Sequence, residues 1–192
     1  VSGYLIFFDF ETGGLEPTKP EIQLASVVVD PQFVEVAHFE TKIAFDKTKA
    51  DPKALEMNHY TDEAWVNAPH AMDVVRKFAA FCERYKSVEM VSKRTGKPYN
   101  VGRLAGHNAA TFDAPRLRRM FDTEGCFMPF HPIPLDTLQL ALWKFQFMEK
   151  KPENFQLSTL CQFFGVDTTG AHDALTDVRL SAALTKAIVS MK

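Results

Sequence analysis

The stretch Tyr4-Leu5-Ile6-Phe7-Phe8-Asp9-Phe10-Glu11-Thr12-Gly13-Gly14-Leu15 decides the fold. Its first seven residues form a dense β-branched and aromatic run, which predicts a strand, and Thr12-Gly13-Gly14 predicts the turn that ends it. Asp9 and Glu11 break the pattern. Residues i and i+2 of a strand point to one face, so the two carboxylates stand on the same side of the most apolar strand. Like charges held close with little water repel, and a bound divalent cation reverses that sign, because hard carboxylate oxygens suit Mg²⁺ or Mn²⁺. A pair of ordinary surface acids at a strand end is the alternative this stretch leaves open.

Two more strands are expected downstream. Gln23–Val29 is a second apolar run stopped by Asp30-Pro31, and Val34–Ile43 alternates as a partly exposed strand does. Short links make the three an antiparallel meander. The period then changes: Val74, Val75, Phe78, Phe81, Cys82 and Tyr85 predict a helix over about 70–85. Ser87–Asn100 is polar and reads as an exposed loop or hairpin tip carrying Lys93, Arg94 and Lys97. Arg103–Ala105 is a short strand, and a helix is expected from about Phe112. Pro129–Pro134 is a connection. Thr137–Met148 reads as a helix with Leu138, Leu142, Trp143 and Phe145 inward. A short helix through Leu157–Phe164, closed by Gly165, and a last helix from about Asp173 complete the chain. Strands followed by helices mixed with strands give an α/β fold with a mixed sheet.

The 192 residues, 46% hydrophobic and 24% charged, suit one domain spanning 1–192 and are far from a disordered composition. A formal charge of −2 excludes a strongly basic nucleic-acid coat protein, though not an enzyme with a local basic rim. Cys82, Cys126 and Cys161 are odd in number and widely spaced, which points to a reducing compartment rather than a disulfide framework or a zinc knuckle. No apolar run reaches the roughly 20 residues of a membrane span, and the N-terminal run lacks a basic leader. A soluble cytoplasmic domain is expected, with its oligomeric state left open.

Two further groups carry chemistry. His172 and Asp177 lie five apart, too far round an ideal helix to share a face. They converge only if His172 sits in the loop before the helix and Asp177 in its first turns. Gly170 and the helix-start acid Asp173 fit that arrangement. A loop histidine near a metal suits general-base work. Asp113 follows Gly106-His107-Asn108 and Phe112, where a strand turns into a helix. Taken singly, each of these acids also reads as a plain helix-start acid.

Taken together, Phe8-Asp9-Phe10-Glu11-Thr12-Gly13-Gly14-Leu15, Gly106-His107-Asn108 with Phe112-Asp113, and His172-x4-Asp177 resemble the three motifs of the DEDDh exonucleases. These are the DnaQ-like, RNase H-related 3′→5′ exonucleases, and the resemblance runs from Tyr4 to about Leu184. Ala54–Glu63 also resembles the segment after the third strand in many of them. Two positions depart from the pattern: Gly13 stands where Thr is frequent, and Asn108 and Phe112 are one residue further apart than in the proofreading subunits.

The resemblance implies an RNase H-like fold: a mixed sheet, the meander plus parallel strands, flanked by helices. It implies that Asp9, Glu11 and Asp177 bind two divalent cations, Mg²⁺ or Mn²⁺, with Asp113 helping to hold one. His172 would deprotonate the attacking water. The implied substrate is the 3′ end of a single-stranded nucleic acid, with DNA favoured over RNA and mononucleotides released. Leu15 and Met57 or His59 would wedge or stack terminal bases, with core packing the alternative for Leu15 and Met57. The amides of Thr12 and Gly13 would hold the terminal hydroxyl, and Asn108 of the second motif would also contact the substrate. Arg116, Arg118 and Arg119, or the Lys93–Lys97 loop, would meet phosphates. Three other readings compete: an exoribonuclease of the same family, a degenerate binding module, and an HD-type phosphohydrolase. Against the last stands the all-helical architecture of that class.

Overall fold

The computed structural model describes residues 3–169 and 173–191. Strands β1 (Leu5–Thr12), β2 (Glu21–Val29) and β3 (Glu35–Lys42) form the expected meander. The pairing is antiparallel, with Phe7 opposite Val27, Asp9 opposite Ala25 and Glu11 opposite Gln23. Two short helices, α1 (Pro52–Met57) and α2 (Asp62–Trp65), lead to α3 (Ala71–Cys82). The polar segment that follows is a hairpin of β4 (Val88–Val91) and β5 (Pro98–Val101). Then come β6 (Leu104–Gly106), α4 (Asp113–Thr123), β7 (Leu135–Asp136) and α5 (Thr137–Phe145). Helices α6 (Leu157–Phe163) and α7 (Ala174–Ser190) end the chain.

The main sheet has the order β3-β2-β1-β6-β7, with β6 and β7 parallel to β1. Both of its faces are covered, which is why β1 reads as a nearly unbroken apolar run rather than an alternating one. Ile6, Phe8 and Phe10 pack on Val74 and Phe78 of α3 and on Leu117 and Phe121 of α4. Phe7 on the opposite face packs with Ala25, Val27 and Val29 against Ala174, Val178 and Ala182 of α7. A third cluster joins Ala141 and Phe145 of α5, Leu160 of α6, and Leu184 and Ile188 of α7. The RNase H-like mixed α/β sandwich is the architecture observed.

Helix α5 turns inward only part of the face expected: Phe145 is buried and Leu138 half-buried as expected, but Leu142 and Trp143 are not. Thr137, Ala141 and Phe145 are buried, whereas Trp143 is 76% exposed and Leu142 lies at the surface. The helix is apolar on more than one side, so periodicity does not choose between them, and the small Ala141 permits the close approach to α7. Among the described residues, no helix is long and apolar enough to cross a membrane.

Candidate active site

Strand β1 outruns its parallel partner. Its pairing with β6 covers Ile6 and Phe7 opposite Leu104 and Ala105, and β6 then turns away at Gly106. The turn is tight: a Cβ on Gly106 would stand 2.9 Å from the Phe8 carbonyl oxygen and 2.8 Å from Ala109 Cβ. Past it, the β6-side edge of β1 is open, and Asp113 fills the gap from the first turn of α4. Its Oδ1 accepts the Phe10 N–H at 3.1 Å, a strand amide that β6 no longer covers. A crevice beyond the carboxyl ends of parallel strands is where ligands bind in open α/β sheets.

The acids gather in that crevice. Asp9 and Glu11 come from the face of β1 turned toward α7, and Asp177 lies in the first turn of α7. Asp173 caps this helix, accepting the Thr176 N–H at 3.1 Å. Burial, then the Asp113, Glu11 and Asp177 carboxylates, hold the Asp9 carboxyl well above the usual carboxylate range. Burial and then the Asp177 and Asp173 charges push Glu11 up to about 7. Asp113 is raised by burial, even though the Phe10 N–H and the Arg116 guanidinium both favour its charged form. Three elements distant in sequence thus bring mutually repelling carboxylates to one place.

This donor set, all hard oxygen, fits divalent cations such as Mg²⁺ and Mn²⁺ and offers no thiolate that would favour softer metals. Among the described residues, no three His, Cys, Asp or Glu side chains already converge as a ready-made ion cage. The carboxylates are nevertheless close enough to raise one another's pKa. His172, expected in the loop before α7, lies outside the described residues, as do Gly170 and Ala171.

Two clefts flank Glu11. One, of about 390 Å³, is lined by Thr12, Leu15, Ala54, Met57 and Asn58 among others. Leu15 is 84% exposed and Met57 61%, so neither is a core residue. The other, of about 270 Å³, is lined by Gln23, Glu40, Lys42, His59, Trp65 and Asp173 as well as Glu11. His59 is exposed there, with φ of 50°.

Two expected substrate contacts are corrected. Arg116 is 3% exposed, and its guanidinium donates to the carbonyls of Leu15 (3.1 Å), Glu16 (2.8 Å) and Lys19 (3.0 Å). It also pairs with Glu21 at 3.3 Å and lies 4.4 Å over the Phe112 ring. Its Nη donors fasten the Leu15–Glu21 loop to α4, and the buried guanidinium is not presented to a phosphate at the surface. The Gly13 N–H is likewise engaged, donating to the Pro20 carbonyl at 2.8 Å. Glycine is needed at position 13 for space: a Cβ there would lie 2.6 Å from Ala50 Cβ. Thr12 is buried, with Oγ1 donating to the Gly14 carbonyl at 2.9 Å.

Sequence reading passed over two residues that shape the crevice. Asn58 lines both clefts and donates through Nδ2 to the carbonyls of Thr12 (3.1 Å) and Ala54 (2.9 Å), tying α1 to the end of β1. Asp136 accepts the N–H groups of Asn108 (3.1 Å), Ala110 (2.9 Å), Leu138 (2.9 Å) and Gln139 (3.3 Å). It caps α5 and at the same time holds the loop before Asp113, where Asn108 has φ of 61°. An acid preceding the apolar run Thr137–Leu142 was a signal for the cap. No local signal revealed its bonds to Asn108 and Ala110.

Residues 6–185 match the family model of the RNase T exonucleases. Protein NEN3 of Arabidopsis thaliana is 32% identical over 103 residues, 52% of this chain and 20% of that protein. The PolC-type DNA polymerase III of Bacillus subtilis (strain 168) is 27% identical over 184 residues, 93% of this chain and 11% of the polymerase. Among solved structures, exonuclease I superposes with a TM-score of 0.76 at 18% identity, over 99% of this chain and 41% of the neighbour. Escherichia coli exonuclease I in complex with a dT13 oligonucleotide gives 0.73 at 20% identity, over 96% and 40%. The chain therefore covers only a part of each of these relatives, and the structural likeness is one of fold. With the family match running from β1 into α7, the chain belongs to the DnaQ-like exonuclease family that its three motifs resemble.

Proposed function

We propose that residues 1–192 act as one exonuclease domain that removes mononucleotides from the 3′ end of single-stranded DNA, dependent on two divalent cations. The observation that carries this reading is the meeting of Asp9, Glu11 and Asp113 with Asp177 at the open edge of β1, where burial and repulsion disfavour the charged forms of the first three. Asp9, Glu11 and Asp177 would hold Mg²⁺ or Mn²⁺, and Asp113 would steady one of the ions from its bond to the Phe10 N–H. Bound there, the cations supply charge neutralisation at the phosphodiester and a lowered pKa for water.

The chain's own residues do the rest. Leu15 and Met57 offer exposed apolar side chains on one cleft beside Glu11, against which a terminal base can lie at ~1 kcal/mol or more with little regard to sequence. His59 borders the neighbouring cleft on the other side of Glu11. Asn108, held through its N–H by Asp136, keeps the turn before Asp113 in place. His172 takes the proton of the attacking water, and activity falls below about pH 6, when an ordinary imidazole is already protonated. DNA is preferred to RNA in this reading, by analogy with the oligonucleotide-bound exonuclease I structures that share the fold.

The test is a degradation time course on matched 5′-labelled single-stranded DNA, duplex DNA and RNA, with Mg²⁺ and with EDTA. A ladder shortening from the 3′ end of single-stranded DNA, abolished by EDTA, is expected. Faster loss of RNA would transfer the reading to an exoribonuclease, and cleavage of a closed circle would overturn it. His172→Ala is expected to keep strand binding while turnover drops ~100-fold.

A further inference from the structure

A hollow of about 270 Å³ lies where β1, β6 and β7 meet α5 and the last turns of α7. It runs from the core to the surface: Phe7 and Ala105 in its lining are buried, Leu5 and Leu140 half-buried, and Leu135 and Val189 exposed. Phe33 joins the lining from the turn between β2 and β3, its ring centroid 6.5 Å from that of Phe7.

That turn is closed by hydrogen bonds on Asp30. Its carboxylate accepts the Gln32 and Val34 N–H groups, both at 2.9 Å. Its carbonyl accepts the Phe33 N–H at 2.9 Å, and its own N–H donates to the Val34 carbonyl at 3.0 Å. Within the turn Phe33 has φ of 58°, a conformation that a bulky side chain resists. Glycine would serve the same turn without strain. What phenylalanine adds is its ring, which packs on the Phe7 cluster and lines the hollow.

The polar atoms of the lining narrow the choice of occupant. Thr185 Oγ1 donates to the Ser181 carbonyl at 2.8 Å, so in its 2.7 Å contact with Thr137 Oγ1 it is Thr137 that donates. Both hydroxyl protons are therefore spent. Among the described residues, the one charge in the lining is the Asp136 carboxylate, which accepts the amides of Asn108, Ala110, Leu138 and Gln139. The lining side chains thus offer neither a free donor nor a cation. An anion would enter at the cost of its hydration and find no partner.

We propose that this hollow is a binding site for a neutral aromatic molecule of one or two rings, carrying at most an N–H or O–H. Its volume exceeds the roughly 150 Å³ that takes benzene. An apolar lining with few polar atoms is the usual make-up of a small-molecule site. The tilted rings of Phe7 and Phe33 give an aromatic guest an edge and a face to pack on. The site stands whether or not the acids of the crevice cleave nucleic acid.

Indole is the probe, followed by calorimetric titration and expected to bind saturably with Kd of about 0.1 mM. An indole carboxylate, with the same rings and a negative charge, is expected to bind at least about tenfold more weakly. Phe33→Gly removes a wall and Val189→Trp crowds the exposed end of the hollow. Each is expected to weaken indole about tenfold while melting within a few degrees of the wild type. Met57→Ala, in the apolar cleft beside Glu11, is the control and is expected to change indole affinity less than about twofold. No saturable binding of indole would overturn the site, as would equal binding of the carboxylate. Unchanged affinity in either wall variant, or an equal loss in Met57→Ala, would overturn it too.

Discussion

The two halves of β1 face opposite demands although they belong to one strand. Over Ile6–Phe8, the strand has a neighbour on both edges or lies against packed helices on both faces, and every side chain is 2% exposed or less. Over Asp9–Thr12 only β2 continues alongside, and the opposite edge is met by the carboxylate of Asp113. Apolar side chains are forced in the first half, because a polar group there would have no partner. In the second half the missing strand leaves one amide and a partly open wall, and charge can be placed there if something else stabilises it. The end of a neighbouring strand, more than any local preference, is what allows acids to follow four apolar residues.

The contrast is sharpened most by removing an acid. Asp9→Asn is expected to lower strand degradation about a thousandfold or more while leaving the fold intact, read by parallel rate and melting measurements. An equal drop in stability would mean that Asp9 belongs with the packed half. Phe8→Ala makes the converse cut. It is expected to cost about 3–5 kcal/mol of stability in denaturant titration, the range for emptying a large buried site. A loss below about 1 kcal/mol would contradict its place between the sheet and α3 and α4.

The smallest effect is a pH dependence of stability. Glu11 is raised by burial and by neighbouring acids to about 7 in the folded chain, above its value of about 4.3 when unfolded. Folding therefore binds a proton, and this group's contribution is fully present below about pH 4 and is lost as pH climbs through 7. In metal-free buffer, Glu11→Gln is expected to melt a few degrees above the wild type at pH 8 and level with it near pH 4. Mg²⁺ should narrow the gap at pH 8 by stabilising the wild type more than the variant. A gap of the same size at both ends of the range would show that Glu11 is not held under repulsion.

Much of this was legible from the residues themselves. The apolar runs of Leu5–Phe8 and Leu24–Val29 announce strands because both faces of the sheet are covered, and Asp9 and Glu11 stand out against that background. The convergence of Asp113 and Asp177 with them was carried by resemblance, since nothing local to either residue shows what it will meet. Strand β7 has only two residues, too few for any pattern. On α5, Phe145 was placed inward correctly, while Leu142 and Trp143 were misplaced because they are as apolar as the residues that are buried. Arg116 was misread because a cation in a sequence shows its charge and conceals the carbonyls of Leu15, Glu16 and Lys19 that await it. The amide of Gly13 was misassigned for the same reason, its partner Pro20 being invisible until the loop is folded.

Asp136 adds its side chain to the β6–β7 pairing in which its own backbone stands opposite Gly106. One carboxylate takes amides from Asn108 and Ala110 on one side and from Leu138 and Gln139 on the other. Fraying at the start of α5 therefore slackens the bend ahead of Asp113 in the same event, and a molecule that clasped the outer surface of that helix would be felt in the crevice. The outermost strand is in this way tied, beyond its ladder with β6, to the turn that leads into Asp113.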